Sequence, residues 1–471
     1  MLSFRFTERR TLLIVADLIL VELTTLFAFW VMAWRAGWQF DLNYLFDQAG
    51  WLVFLPVMWF LSALLNDLYN PQKIANLSAT LVALLRTVLL MVIVYIASYF
   101  FLTVPGSLPR GVVAYQGAAS FVLIAVWRWV YGLLIQRPAF ARKIIVVGAG
   151  WAGETIAQVI LKYASIHYRI VGFIDDDPKK NGQTVHLPNS QVNLPILGAA
   201  EDLVRLAKEL DVPQVIMAIS HHASSALFHA LLECKEQGIQ ITLMPAMYEE
   251  LTGRIPIEHV GDNWNVTLPL DSAEAGGFYP IAKRIFDIVG ALLGLAIYLP
   301  LLVLIAPAIY LDSPGPIFYS QERVGKGGKV FRLLKLRTMI ANAELEGVAM
   351  RAQPQDPRVT RVGRWLRRMR LDEMPQLINI LKGEMSAVGP RPERPEHLAE
   401  LDSVIPFHRL RNTVKPGMAG WAVVNYEYVD SVDDARVRLE YDLYYIKHQS
   451  IGLDLAIMVR AIEDVFSLRG R

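Results

Sequence analysis

Four apolar segments fill the first 140 residues, roughly Thr11–Trp34, Ala49–Tyr69, Leu77–Leu102 and Gly111–Ile135. Each is close to the ~20 residues that an α-helix needs to cross the hydrocarbon core of a bilayer. From Arg142 the pattern changes. Lys143–Val147 is a continuous apolar run of buried-strand type, a helical period follows to about Tyr163, and Tyr168–Ile174 reads as a second strand. Gln214–Ile219 and Ile239–Met244 are further strand candidates, each preceded by a helical stretch. A fifth apolar run, Ile285–Leu311, is interrupted by Pro300, and Phe331–Met339 alternates as a strand. Between Arg358 and Arg370, Trp365, Leu366 and Met369 interleave with cations at three-to-four-residue spacing, which predicts an amphipathic face suited to the phospholipid interface.

Charge places these segments. Arg5, Arg9 and Arg10 precede the first run and Arg137, Arg142 and Lys143 follow the fourth, whereas the loops near Gly37–Asp47 and Val104–Arg110 hold few cations. The positive-inside preference puts both ends of the four-helix region in the cytoplasm, which an even number of spans permits. The first run is too long for a cleavable signal peptide, and no small-residue cleavage site follows it. Asp17, Arg86 and Arg128 lie at comparable depth and are expected to converge, with Glu22 further in. A buried ion pair that fixes helix register and a substrate pathway are both open readings. The hydrophobic content is 54% and the mean hydropathy +0.34, values that exclude a purely soluble protein. Lys and Arg (46) nearly balance Asp and Glu (44), so no global field favours nucleic acid. The lone Cys234 excludes a disulfide framework.

The β/α alternation after Arg142 reads as a Rossmann-like unit over 142–265. Its first strand ends in Gly148-Ala149-Gly150-Trp151-Ala152-Gly153 and its second at Asp175. Gly148, Gly150 and Gly153 would let a pyrophosphate approach the helix N-terminus, and Asp175 would take a ribose hydroxyl, so these four are the candidate nucleotide ligands. Residues 142–265 contain no Tyr-x-x-x-Lys pair of the kind that sugar-nucleotide dehydratases and epimerases of this fold use. A regulatory or structural role is therefore expected. Turn-rich residues 266–280 form the expected linker.

The chemistry concentrates in the last third. Leu371-Asp372-Glu373-Met374-Pro375-Gln376-Leu377-Ile378-Asn379 sets two adjacent carboxylates after Arg358, Arg361, Arg364, Arg367, Arg368 and Arg370, and shortly before Val388-Gly389-Pro390-Arg391-Pro392. With Lys335-Leu336-Arg337-Thr338-Met339 upstream and Lys415-Pro416-Gly417-Met418-Ala419-Gly420-Trp421-Ala422 downstream, residues 281–471 closely resemble the monotopic phosphoglycosyl transferases, the bacterial sugar transferases. The resemblance implies an integral-membrane enzyme of the bacterial inner membrane whose catalytic domain faces the cytoplasm. Such an enzyme moves a sugar-1-phosphate from a nucleotide diphosphate sugar, with UDP the expected nucleotide, to a polyprenyl phosphate such as undecaprenyl phosphate. That step begins assembly of an exopolysaccharide, capsule or O-antigen.

By the same resemblance Asp372 is the nucleophile that forms a covalent phosphosugar intermediate, and Glu373 is the carboxylate associated with Mg²⁺. Lys335, Arg337, Arg370, Pro390, Arg391 and Pro392 are the expected substrate-binding residues, Arg391 at the nucleotide end of the donor. Lys335 and Arg337 share one face of the expected strand, which suits a diphosphate. The run 285–311 is expected to be a re-entrant helix that bends at Pro300, because cations flank both of its ends. Where the family usually has serine before this proline, Leu299 stands, which leaves the bend angle open. Glu384 for the commoner Asp, and Val423 and Tyr426 after the Trp421-Ala422 pair, depart from the pattern and leave the sugar open. The fold class is thus a membrane protein, α plus α/β: four transmembrane helices (1–141), the Rossmann-like domain, the linker, and an α-rich catalytic domain (281–471). A homodimer is left open. The rival functions are a membrane-anchored sugar-nucleotide dehydratase or oxidoreductase, and a non-catalytic scaffold of polysaccharide export.

Overall fold

A computed structural model describes residues 6–66, 68, 69, 74, 76–102, 111–135, 141–187, 192–219, 224–257, 277–340, 356–426 and 431–466. Arg5, Arg137, the Val104–Arg110 loop and most of the expected linker lie outside the described residues. The chain divides into two compact units, Met1–Thr252 and Gly253–Arg471.

The first unit begins with four apolar helices where the sequence puts them: α1 (Phe6–Ala36), α3 (Ala49–Leu65), α4 (Leu77–Leu102) and α5 (Val112–Ile135), with a short α2 (Leu42–Asp47) between the first two. Each long helix packs against two others, α1 on α3 and α5, α4 on α3 and α5, so the four close a ring. Three of them have the length and hydropathy of a membrane span, and α3 is a shorter apolar helix of 17 residues.

One expectation for this region holds and one fails. Arg128 donates to Asp17 at 2.5 Å inside the bundle, both side chains being buried, and the Arg128 guanidinium lies 5.6 Å from the centroid of the Tyr69 ring. Arg86 does not join them and is exposed. The inward stripe of α4 is Thr80, Ala83, Leu84, Thr87, Val88, Met91 and Tyr95. At 100° per residue Arg86 falls off that stripe on the outer side. Equal depth along the axis said nothing about azimuth.

A six-stranded sheet follows, in the order β3-β4-β2-β1-β5-β6, parallel except for the β3–β4 pair. Its strands are β1 (Arg142–Val147), β2 (Tyr168–Ile174), β3 (Thr184–His186), β4 (Asn193–Gly198), β5 (Gln214–Met217) and β6 (Gln240–Leu243). Helices α6 (Trp151–Tyr163), α7 (Leu203–Glu209), α8 (Ser225–Glu236) and α9 (Met244–Thr252) complete a Rossmann-like α/β fold. One apolar core joins β1 and β2 to α6 and α9, and another joins the sheet to α7 and α8, where Cys234 is buried. Strands β3 and β4 were not legible because Pro188 and Pro195 interrupt their pattern.

The second unit opens with Ile255 and Ile257, which are buried in its main core. Helix α10 (Tyr279–Asp312) then runs 34 residues with Pro300 and Pro307 inside it. Its buried residues Asp287, Ala291, Tyr298, Ile305 and Ile309 recur at spacings of four and seven along one side. The rest of its surface exposes Ile285, Val289, Leu293, Ile297, Val303, Leu304 and Leu311. The N-terminal part is pinned by Arg284, which donates to the carbonyls of Ile380 (2.7 Å) and Leu381 (2.8 Å). At the other end Asp312 accepts from the backbone N–H of Val362 at 2.8 Å. The antiparallel hairpin β7 (Phe318–Val324) and β8 (Val330–Leu336) follows, with the turn at Gly325–Lys329 between its strands. Then come α11 (Arg361–Arg368), α12 (Gln376–Lys382), β9 (Ser386–Val388), α13 (Pro395–Val404), β10 (Gly417–Ala419), α14 (Trp421–Asn425), α15 (Val432–Lys447) and α16 (Ile451–Phe466).

The bundle pair yields a test. Arg128→Leu leaves Asp17 as a buried charge without its partner and is expected to cost about 3–5 kcal/mol, while Asp17→Asn with Arg128→Leu recovers most of the loss. Melting of both variants in detergent, followed by tryptophan fluorescence, checks this order.

Candidate active site

The two carboxylates are placed by a strained turn. Helix α11 ends at Arg368, and Arg370 adopts a left-handed conformation (φ 54°, ψ 21°). For a side chain with a Cβ this costs about 1–3 kcal/mol, which the surrounding packing must offset. The chain then winds into a single 3₁₀ turn, Leu371–Glu373, before α12 begins. Both Asp372 and Glu373 end up buried.

Glu373 is the hub. Lys335 Nζ donates to its Oε1 at 2.9 Å and Arg391 Nη2 to the same oxygen at 2.8 Å. Lys335 comes from β8, Arg391 from the loop after β9, and Glu373 from between α11 and α12, so one oxygen joins three segments distant in sequence. Burial alone would raise the Glu373 carboxyl, but Arg391 and Lys335 outweigh it and hold it well below the usual carboxylate range. Asp372 goes the other way: burial first, then the Glu373 charge, push its carboxyl up against the pull of Lys335, Arg367 and Arg391. Among the described residues, no hydrogen bond reaches Asp372 or Oε2 of Glu373. The pair therefore consists of a firmly ionised Glu373 and a more basic, unengaged Asp372.

Each cation is braced by its own strut. Asn379, fully buried, accepts from Leu334 N (3.1 Å) and donates to the Arg332 carbonyl (2.8 Å) and to Glu384 (2.6 Å), which ties β8 to α12 beside Lys335. Strands β9 and β10 pair in parallel, and the Pro390 carbonyl accepts from Gly417 N at 2.9 Å. A Cβ at Gly389 would lie 2.9 Å from that same nitrogen, so the strand crossing requires glycine. Behind the turn, Arg411 donates to the Arg391 carbonyl at 2.9 Å, to Asp442 at 2.8 Å and to Glu393 at 3.3 Å, and Arg438 donates to Glu393 at 3.1 Å. Burial would raise the Glu393 carboxyl, yet Arg438, Arg411 and Arg323 bring it down to about 2. On the far side, Asp287 of α10 accepts from Ser386 Oγ (2.9 Å) and Ala387 N (2.8 Å).

The structure thus brings together Asp372, Glu373, Lys335 and Arg391, with Pro390 and Pro392 framing the last. Arg337 departs from expectation. Strand β8 ends at Leu336, so the alternation that would have aimed Arg337 beside Lys335 has already stopped. Its guanidinium instead binds the carbonyls of Ser313 and Pro314 (3.2 Å to the latter) after α10, and the side chain is buried there. Arg370 shapes the turn, and its half-buried side chain makes no hydrogen bond among the described residues. On α11, Arg361, Arg364, Trp365 and Arg368 are exposed on one face while Gly363 and Leu366 are buried, as the spacing predicts. Arg358 pairs locally with Asp356 at 2.5 Å, and Arg367 donates to Thr338 at 2.8 Å.

Glu393, Arg411, Arg438, Asp442 and Asp287 went unmarked in the sequence. An acid inside an apolar run was a usable signal for Asp287; the other four are scattered over 50 residues and no local pattern joins them.

In the first unit, Gly148 (φ 103°) and Gly150 open α6 as expected, since a Cβ at Gly148 would sit 2.6 Å from the Ala218 carbonyl. Gly153 packs directly on the Gly148 carbonyl. Asp175 is already engaged: it accepts from Ala149 N (2.8 Å), Lys180 Nζ (2.9 Å) and Asp177 N (3.0 Å). A loop N–H that a pyrophosphate would use is thus committed to the carboxylate assigned to the ribose.

Fold and site thus combine apolar helices of membrane-span length with a buried paired-carboxylate centre in the last third of the chain. The bacterial sugar transferase family profile matches residues 278–468, and a CoA-binding domain profile matches residues 64–245. The chain is 40% identical over 237 residues to the UDP-N-acetylgalactosamine-undecaprenyl-phosphate N-acetylgalactosaminephosphotransferase of Aeromonas hydrophila, covering 50% of this chain and 55% of that one. It is 32% identical to the undecaprenyl-phosphate glucose phosphotransferase of Komagataeibacter xylinus (77% and 68% covered). It is 30% identical to the UDP-glucose:undecaprenyl-phosphate glucose-1-phosphate transferase of Escherichia coli (71% and 74% covered). The chain belongs to the bacterial sugar transferase family.

Glu393 gives this site a pH signature. A carboxyl held at about 2 instead of 4.5 stabilises the fold fully above about pH 4.5, and that contribution is lost as pH falls toward 2. At about 1.4 kcal/mol per pH unit it amounts to about 3 kcal/mol. Glu393→Gln should therefore lower stability at neutral pH by about that much and flatten the decline between pH 4.5 and 2, as denaturant titrations across that range would register.

Proposed function

We propose that the chain transfers a sugar-1-phosphate from a UDP-sugar to undecaprenyl phosphate through a covalent intermediate on Asp372, and so begins assembly of a surface polysaccharide. The observation that carries this is the division of labour in the dyad. Asp372 is desolvated, more basic than an ordinary aspartate and bound by no donor, the state of a carboxylate available for attack. Its oxygen bonds to the phosphorus that bears the sugar, the bond from that phosphorus to the bridging oxygen breaks, and UMP leaves with the electron pair. An oxygen of the lipid phosphate then attacks the same phosphorus and frees the carboxylate, giving the polyprenyl diphosphate sugar. Lys335 and Arg391 lie where negative charge accumulates.

Glu373 Oε2, which no hydrogen bond reaches among the described residues, would hold a Mg²⁺ ion, with substrate phosphate oxygens and water completing its shell. When bound, Mg²⁺ offsets charge on the diphosphate.

The proposed place is the cytoplasmic face of the inner membrane, with α10 re-entrant. A straight 34-residue helix would be about 51 Å long, well beyond a hydrocarbon core of about 30 Å. What supports re-entry is that Arg284 and Asp312, near its two ends, are both held by the same globular unit while the outer face stays apolar. Pro300 removes one helical N–H and crowds the carbonyl of Ala296, which favours a bend there. For the Rossmann-like unit, the commitment of Asp175 and Ala149 favours a structural or regulatory role over redox catalysis.

Asp372→Asn should abolish release of UMP from donor alone. In the parent, the acid limb of activity should lie above the ordinary aspartate value of 3.8, because Asp372 must lose a proton that burial makes it keep. Full release by the Asn variant would remove Asp372 from this role. For topology, single cysteines at Phe278 and Lys326, with Cys234 replaced by Ala, should both react with a membrane-impermeant thiol reagent in inside-out vesicles and neither in right-side-out ones. Reaction on opposite faces would make α10 a simple span.

A further inference from the structure

One polar group beside the dyad is used by nothing described so far. Tyr298 lies on α10 two residues before Pro300, is 2% exposed, and its hydroxyl is buried with no hydrogen-bond partner among the described residues. The ring sits in an apolar cluster with Leu366, Leu371 and Met374. Leu371 and Met374 bracket the dyad in sequence, so the cluster that holds the phenol adjoins the segment carrying Asp372 and Glu373. The Asp372 charge acts on this phenol. Among the described residues no hydrogen bond reaches the Asp372 carboxylate either, so an unsatisfied donor and an unsatisfied acceptor belong to adjoining segments.

A buried hydroxyl without a partner costs about 1–3 kcal/mol, and phenylalanine would fill the same space without that cost. Such a group is retained at a loss unless its partner arrives later. Lys335 and Arg391 hydrogen-bond Glu373 and not Asp372, so among the described residues Asp372 has no cation in hydrogen-bond contact. The species that reaches this point in the reaction is a phosphoryl group, whose oxygens gain charge as the bond to Asp372 forms or breaks.

We propose that the Tyr298 hydroxyl is a catalytic hydrogen-bond donor to a non-bridging oxygen of the phosphoryl group transferred on and off Asp372. It contributes no proton to the net reaction: the O–H donates while the phosphorus–oxygen bonds exchange and is intact at the end. Because the donor comes from the membrane helix, it stands on the side from which a lipid phosphate approaches. The inference rests on the assignment of Asp372 as the nucleophile.

The test compares full-length Tyr298→Phe, Asp372→Asn and the parent in detergent. It measures single-turnover UMP release from donor alone, transfer to the lipid phosphate, and melting temperature with and without donor. Tyr298→Phe should melt no lower than the parent in the absence of donor, because the orphan hydroxyl is gone. It should release UMP at least tenfold more slowly, with donor KM changed less than threefold. A phenylalanine variant that matches the parent rate overturns the proposal, and so does one whose rate loss comes with a lower melting temperature, since the hydroxyl would then serve the fold. Should the Phe variant not assemble, ring-fluorinated tyrosine at 298 keeps the packing and makes the O–H more acidic. A changed release rate there supports the proposal, and an unchanged one ends it. Asp372→Asn separates the two readings. If it still releases UMP the nucleophile assignment fails, whereas if it is inert while Tyr298→Phe is normal only the present inference fails.

Discussion

One oxygen atom holds this catalytic centre together. Oε1 of Glu373 receives Lys335 from the hairpin and Arg391 from the proline-flanked turn, two segments that also meet where Val324 N donates to the Glu393 carbonyl at 2.9 Å. Two half-buried cations without this anion would repel one another and lose part of their hydration without compensation. The anion without them would take up a proton. The three charges are stable only as a set, and the set exists only when the segments carrying them are in register. That makes the dyad turn a structural keystone before it is a catalytic one.

The same arrangement explains how two neighbouring carboxylates can behave differently. Side chains one residue apart in a 3₁₀ turn project about 120° from each other, so Glu373 can hydrogen-bond both cations while Asp372 does not. Once Glu373 is committed to the anionic state, its charge adds to burial in raising Asp372. A protein that must keep one carboxylate charged and another basic solves the problem here by sharing cations unequally. The left-handed Arg370 is the backbone cost of that division, because it turns the chain sharply enough to bury both acids.

Much of this was legible in the sequence, and the parts that were not share a cause. Apolar runs and short-range periodicity fix where an element lies: α1, α3, α4 and α5 begin and end within a few residues of the runs that predicted them, and β1, α6 and β2 match almost residue for residue. The dyad, Lys335 and Arg391 were found because their motifs are contiguous. Azimuth and termini were not legible. Arg86 had the right depth in the bundle and the wrong face, and Arg337 had the right parity for a strand that had already ended. The brace of Glu393, Arg411, Arg438 and Asp442 depends on side chains that meet only after α15 and the Pro390–Pro392 turn have packed, so nothing in the local pattern could mark it.

That brace also bears on how selective the site can be. Arg391 reaches Glu373 from a backbone whose carbonyl is gripped by Arg411, which is itself held by Asp442 of α15 and by Glu393. The proline on either side removes much of the remaining freedom. A guanidinium so confined has little freedom to move, and rigid placement of this kind is what turns binding into orientation. Val423 and Tyr426 lie in and just after α14, directly after the β10 strand that locks this turn, and Tyr426 donates to Asp434 at 2.5 Å. Asp372 and Glu373 are positioned by other elements, with β8 and α12 tied together through Asn379, so a change in this downstream segment leaves the supports of the dyad itself in place.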